Sequence, residues 1–375
     1  MSTEVRDHHV QGLGVFDRSD DLRDAEHEQV VFCRDRRTGL RAIIALHDTT
    51  LGPGLGGTRF FPYRRESDAL TDMLRLSEGM THKAAVAGMP LGGAKAVIIG
   101  DPATHRSEEL LEAYGGFVES LGGRYYTAAD VGTTAHDLDV IGRTSRHVVG
   151  RSVSAGGSGD SGYSTALGVF SAMQAAATAT WGEAGVADRR VGVEGVGKVG
   201  RHLVEMLLDV GARIVVSDPR PDALDGLGPR SVAVEQVSSV LDEDLDIYAP
   251  CALGASLTPQ TVAALSARVV CGAANNQLLH RGVAELLRRR SIQWVPDYVA
   301  NAGGLIQVGS ELTGATPDEV LAKVRQVGET TRELLHLAID HDVTTWEAAR
   351  RIVAARLQAA GAADPTARKE QTSEA

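Results

Sequence analysis

Residues 80–95 read MTHKAAVAGMPLGGAK, two lysines, Lys83 and Lys95, around a stretch with almost no other charge. Lysine heads are strongly hydrated, so a surface face normally mixes them with carboxylates and polar groups. Two ammonium groups facing one cleft would repel, and burial would add desolvation; both effects lower a lysine pKa toward neutrality. A lysine poised in this way can act as a general base, while one that stays charged can hold a carboxylate. Asp130, in TAADVGTT (127–134), follows an apolar run, the end of a strand where α/β proteins carry their site residues. Spacing leaves a plainer reading open, with Lys83 exposed on a helix and Lys95 snorkelling from a strand edge.

A second group lies in RRVGVEGVGKVGRHLVEMLLDVGARIVVSD (189–218). Gly195, Gly197 and Gly200 follow a short apolar strand and open a helix, the order a pyrophosphate site requires. The first allows the tight turn, the second admits phosphates and the third lets helix and strand pack. Asp218 ends the next strand, where a carboxylate accepts hydrogen bonds from the adenosine ribose and repels a 2′-phosphate, favouring NAD over NADP. Arg220 stands close enough to oppose that preference, and Glu194 is unusual beside an anionic ligand. A Rossmann-like fold that binds no dinucleotide is the alternative.

The elements that must position these groups follow from apolar spacing. QVVFC (29–33) and LRAIIALHD (40–48) read as strands, and 68–88 as a helix with Leu70, Met73, Leu74 and Met80 on one face. KAVIIG (95–100) and RYYTA (124–128) read as strands around a helix at 107–122. Gly92 and Gly93 remove side chains just before Lys95, which allows a ligand or another backbone to come close. A Gly/Ser-rich segment, 152–164, interrupts the pattern and is read as the crossing between domains. A helix at 166–181 then leads into strands at 246–250, 267–272 and 292–296, a parallel doubly wound sheet.

The expected architecture is α/β with two domains separated by a cleft. Residues 1–150 form a substrate-binding and oligomerisation domain and 151–330 an NAD-binding Rossmann domain. Helices at 331–360 pack back toward the first domain, and 361–375 is a disordered tail. A chain of 375 residues exceeds what one core usually supports. With 43% hydrophobic and 23% charged residues it is ordinary globular material, and a net charge of −11 argues against nucleic acid. No run is long and apolar enough to span a membrane, and the start MSTEVRDHHV lacks the features of a secretory signal, so a cytoplasmic protein without a membrane role is expected. Cys33, Cys251 and Cys271 are too scattered for disulfides or zinc and read as small buried hydrophobes; His8 and His9 lie in a polar arm where no metal is expected.

Several segments together carry a resemblance. GPGLGGTRFFPY (52–63), MTHKAAVAGMPLGGAKAVIIGDP (80–102), GGRYYTAADVGTT (122–134), GVGKVG (195–200), DIYAPCALGA (246–255), CGAANNQL (271–278) and PDYVANAGGLIQV (296–308) resemble, in order, the Glu/Leu/Phe/Val amino acid dehydrogenase family. Within it HEQVVFC, IYAPCALGA and CGAANNQL are most similar to the valine and leucine dehydrogenases. The resemblance implies oxidative deamination of an L-amino acid to a 2-oxo acid and ammonia with NAD, without a metal, by a homo-oligomer formed through the first domain. Carried over by motif, Lys83 binds the substrate carboxylate with Asn276, and the backbone of Gly56 and Gly57 lines that site. Lys95 polarises the carbonyl and activates water against the iminium, while Asp130 shares protons with the amine. Thr165 meets the nicotinamide amide and Asn301 lies near the ribose; Gly195, Val196, Gly197, Lys198, Val199 and Gly200 form the pyrophosphate turn with Asp218 beyond.

Leu55, Ala128, Leu305 and Val308 are implied as the side-chain pocket, an apolar wall that disfavours glutamate. Leu305 stands where a smaller residue is usual, leaving less room for a phenyl ring, so valine, leucine and isoleucine lead. Two departures stand out: His82 replaces an aromatic residue and Ala94 a frequent glycine. Two other readings remain, an aromatic amino acid dehydrogenase and a non-catalytic NAD-binding regulatory protein. Two adjacent cations and a carboxylate have no purpose in a retired site, which counts against the second.

Overall fold

The computed structural model describes residues 27–182 and 185–363, which fall into two compact units. The first takes residues up to Thr49, Pro53–Thr81 and Gly92–His147; the second takes Thr50–Gly52, His82–Leu91 and the chain from Val148. His8 and His9 lie outside the described residues, as does the tail from 364.

The first unit is built on a five-stranded sheet of β1 (Gln29–Arg34), β2 (Arg41–Asp48), β3 (Gly54–Phe61), β4 (Gly92–Ile99) and β5 (Tyr125–Ala129), in the order β1-β2-β4-β3-β5. β2 runs antiparallel to both β1 and β4, whereas β3 is parallel to both β4 and β5. The helix Glu66–Val86 covers this sheet by burying Leu70, Met73 and Leu74 against Ile43, Ala45 and Val97. Met80, expected on the same face, is only half-buried. Ser77 and Thr81 are buried instead, with Ser77 bonding back to the carbonyl of Met73 and Thr81 meeting Nδ1 of His47 at 2.8 Å.

Polar filling of that face has a backbone reason. A Cβ on Gly93 would lie 2.1 Å from the Thr81 nitrogen and 2.6 Å from the Ser77 carbonyl oxygen, so strand and helix touch main chain to main chain. The close approach expected at Gly92 and Gly93 is therefore made by the protein's own helix. Both glycines are ladder residues of β4, which starts three residues earlier than the apolar run suggested. β3 was not legible as a strand, because its GLGG start shows no alternation of apolar and polar side chains.

The second unit holds a six-stranded, wholly parallel sheet of β6 (Arg190–Glu194), β7 (Arg213–Ser217), β8 (Val234–Gln236), β9 (Ile247–Pro250), β10 (Val269–Val270) and β11 (Gln293–Trp294). Its order, β11-β10-β9-β6-β7-β8, is the doubly wound arrangement, with the direction of winding reversing between β6 and β9. Trp294, Tyr248, Leu257 and Val270 anchor its core. β10 and β11 are shorter than the expected runs at 267–272 and 292–296, although Cys271 and Val295 still donate to the neighbouring strand.

The helix Gly162–Trp181 starts four residues earlier than expected, inside the Gly/Ser-rich segment, where Asp160 accepts the N–H of Gly162 at 2.7 Å. At the other end the helices Val327–Asp340 and Thr345–Ala363 group with the second unit, and the last runs through 361–363, residues expected in the tail. Among the described residues no helix is long and apolar enough to cross a membrane, and no cluster of three His, Cys, Asp or Glu is placed for a metal. All three cysteines are free; burial pushes the Cys33 and Cys251 thiols up to about 12 and Cys271 higher still.

Candidate functional site

In the first unit Lys95, 6% exposed, forms an ion pair with Asp130, which follows β5. The other oxygen of Asp130 accepts the Val131 N–H at 2.5 Å and faces Arg59 Nε at 3.4 Å. Arg59 in turn donates to Asp72 at 2.6 Å, and Asp130 donates its own N–H to Thr133 Oγ1 at 2.8 Å. Arg59, Asp72 and Thr133 were missed by the sequence reading. An arginine in the otherwise apolar run TRFF was the available signal.

Gly56 and Gly57 lie on β3, the strand between those of the ion pair. A Cβ on Gly56 would fall 1.6 Å from the Ala94 carbonyl oxygen, and one on Gly57 would lie 2.4 Å from that of Ala129 and 3.0 Å from the Asp130 Cβ. Glycine is required here for packing as well as for backbone access. Leu55 and Ala128, on the neighbouring strands β3 and β5, are buried. The Ala94 methyl is enclosed against Gly54, whose own Cβ would approach it to 2.8 Å.

In the second unit Lys83 sits half-buried in the last turn of the helix Glu66–Val86. Burial pulls its pKa down from the usual lysine range to about 8, against the opposing pull of Asp297. The lysine expected to hold its charge keeps its proton at neutral pH but loses it not far above, because desolvation outweighs the one carboxylate acting on it.

Asp297, also missed, accepts the Asn276 N–H at 2.7 Å, and burial raises its carboxyl while that N–H and Lys83 draw it back. Asn276 is held in the left-handed region at φ 53°. His82 packs near Tyr298, ring centroids 6.1 Å apart. Leu305 is buried and Val308 half-buried, one helical turn apart on Gly303–Ser310.

The glycine turn after β6 has the required shape. Gly195 takes φ 91°, Gly200 would drive a Cβ to 2.0 Å from the Gly195 oxygen, and a Cβ on Gly197 would meet open space. Gly197 caps the helix Lys198–Asp209 without any side-chain partner for its first N–H groups. Val196 donates its N–H to Asp218 at 2.8 Å, Val199 follows in the first helical turn, and Lys198 pairs with Asp160 at 3.0 Å.

Asp218 is more occupied than expected. Arg220 reaches it with its own N–H at 2.9 Å and Nε at 3.1 Å. Burial pushes this carboxyl up, but Arg220 and the Val196 N–H hold it below the usual range. Glu194 is accounted for by the Tyr248 hydroxyl, which donates to it from β9. The Thr165 hydroxyl donates to the Ser161 carbonyl at 2.9 Å. Asn301, 3% exposed, donates to Ala273 O at 3.0 Å and Asn275 Oδ1 at 2.9 Å, while its buried Oδ1 has no partner.

A family model described as Glu/Leu/Phe/Val dehydrogenase, dimerisation domain, matches residues 27–147, and one described as Glutamate/Leucine/Phenylalanine/Valine dehydrogenase matches 223–363. A valine dehydrogenase of Streptomyces albus is 53% identical over 340 residues, 90% of this chain and 93% of the relative. The chain belongs to the Glu/Leu/Phe/Val dehydrogenase family. It is an amino acid dehydrogenase that works with a nicotinamide cofactor. A phenylalanine dehydrogenase of Caldalkalibacillus thermarum is 44% identical, covering 89% of this chain and 92% of its own. The crystal structure of L-tryptophan dehydrogenase from Nostoc punctiforme superposes with a TM-score of 0.79 at 39% identity, covering 90% of this chain and 98% of its own.

The residues present fit such a cofactor. The open space at Gly197, the uncapped N–H groups of Lys198–Asp209 and the partnerless Asn301 Oδ1 are the anion and hydrogen-bonding positions a dinucleotide needs in this dehydrogenase family.

Proposed function

We propose that the chain catalyses the reversible NAD-dependent oxidative deamination of a branched-chain L-amino acid, giving the 2-oxo acid and ammonia. The observation that carries this reading is the buried Lys95–Asp130 pair, a cation and a carboxylate in direct contact within a dehydrogenase of this family. A nicotinamide held there would supply the acceptor for the hydride of the substrate α-carbon. Lys83 and Asn276 hold the substrate carboxylate, with the backbone of Gly56 and Gly57 beside it. Lys95, once its own proton has passed to Asp130, takes a proton from the water that adds to the substrate iminium carbon. Asp130 carries the proton to the nitrogen that leaves as ammonia, and Arg59 and the Val131 N–H fix its orientation.

Gly195, Val196, Gly197, Lys198, Val199 and Gly200 hold the pyrophosphate, Asp218 the adenosine ribose, and Thr165 and Asn301 the nicotinamide half. NAD is preferred over NADP because the Asp218 carboxylate repels a 2′-phosphate. The preference for valine, leucine and isoleucine is supported by the 53% identity to a valine dehydrogenase and by four apolar residues, Leu55, Ala128, Leu305 and Val308. One methylene is worth only about 1–3 kcal/mol, so all three are substrates. We place the enzyme in the cytoplasm as a homo-oligomer assembled through the first domain.

NADH formation with a panel of L-amino acids at alkaline pH tests this. Turnover led by valine, leucine and isoleucine is the expected result. Turnover led by phenylalanine or tryptophan would replace it with the aromatic reading, and no turnover with any of them would overturn both.

A further inference from the structure

Asp297 belongs to no role assigned above, yet it bonds Asn276 and its charge acts on Lys83, the two residues given to the substrate carboxylate. It opens the short helix Asp297–Ala300 directly after buried Val295 and Pro296. Its Oδ2 accepts the Asn276 N–H at 2.7 Å, and its backbone oxygen accepts the Asn301 N–H at 2.9 Å. Asn276 needs such a hold. A non-glycine residue at φ 53° persists only when its surroundings fix it, and the second tie, its carbonyl accepting the Ala255 N–H at 2.7 Å, secures the other side of the peptide. The same Asp297 charge is the one that opposes the desolvation of Lys83. Tyr298 follows it, with its buried hydroxyl unpartnered; Arg350 and Glu347 act on that hydroxyl and His82 packs against the ring.

We propose that Asp297 is a positioning residue for the substrate carboxylate: its charge keeps the Lys83 ammonium in place while its grip on the Asn276 N–H sets the amide beside it. This rests on the reading that Lys83 and Asn276 bind that carboxylate. An acid at 297 then decides the pH range over which the amino acid binds. Removing its charge leaves Lys83 with desolvation and no opposing carboxylate, while Arg350 and Glu347 are the other charges that act on the adjacent Tyr298.

The test is the pH profile of kcat/KM for the amino acid in Asp297→Asn, Asp297→Glu and Lys83→Gln variants, with NADH affinity measured by fluorescence. In Asp297→Asn the amide oxygen can still accept the Asn276 N–H, so the loop is kept and only the charge is lost. Its alkaline limb should move down by about one pH unit and KM should rise about fivefold at pH 8, with NADH affinity unchanged. Asp297→Glu restores the charge on a longer stem and should return the limb toward its original position, a rescue that a purely structural residue would not give. A limb and KM unchanged in Asp297→Asn, while Lys83→Gln raises KM, would overturn the role of Asp297 and leave the carboxylate site standing. A KM unchanged in Lys83→Gln would overturn the carboxylate reading itself. If Asp297→Asn does not fold, a Glu variant whose limb is displaced as far as one pH unit overturns the proposal.

Discussion

Lys95 on β4 and Asp130 after β5 pair over β3, the strand between them, at a place where Gly57 offers no side chain. A Gly57→Ala substitution puts a methyl 3.0 Å from the Asp130 Cβ and 2.4 Å from the Ala129 oxygen. Main chain has to move, which costs about 1–3 kcal/mol. The expected outcome is a kcat lowered at least ~100-fold, the scale of a lost proton-transfer group, with a modest fall in thermal midpoint. Steady-state kinetics beside a melting curve separate the two effects.

Lys95→Ala should lower kcat by about 10²–10⁴-fold, the usual contribution of a positioned acid–base group. NADH binding should be retained, because the glycine turn and Asp218 lie in the other unit. Normal turnover in this variant would remove the lysine from the mechanism.

The depressed pKa of Lys83 sets a limit on alkaline operation. The ammonium is the form that binds a carboxylate; burial favours the neutral amine, so binding is intact below about pH 8 and weakens as pH rises through it. kcat, which needs a deprotonated base, should instead rise with pH. A kcat/KM profile that falls on the alkaline side while kcat still climbs is the expected result, and initial rates at subsaturating and saturating amino acid check it.

Cofactor choice should hinge on Asp218 and Arg220. Asp218→Ala frees the guanidinium and removes the acceptor of the Val196 N–H. The ratio of kcat/KM for NADP to that for NAD should rise by at least about tenfold, since hydrogen bonds to charged groups are worth roughly 1.5–3 kcal/mol. Asp218→Ala with additional Arg220→Ala should lose that gain.

Much of this arrangement was visible in residue order. The GVGKVG turn, its flanking strand and helix, and Asp218 follow from local rules that act over a few residues, so they could be read directly. The helix bearing Lys83 was legible from Leu70, Met73 and Leu74. β3 was not, because its glycines are demanded by Ala94, Ala129 and Asp130, partners distant in sequence that leave no periodic trace. Arg59 and Asp297 escaped for a similar reason: each acts on a residue far along the chain, Asp130 and Asn276 respectively, and only the tertiary fold brings them together. The proton assignments of the two lysines also depended on burial, which spacing does not report.

The three thiols described above carry a practical consequence. Alkylating agents and peroxide attack sulfur through its anion, and a group that releases its proton only near 12 offers almost none at working pH. Iodoacetamide should leave the folded protein active, and storage in air without added reductant should be harmless until the chain unfolds.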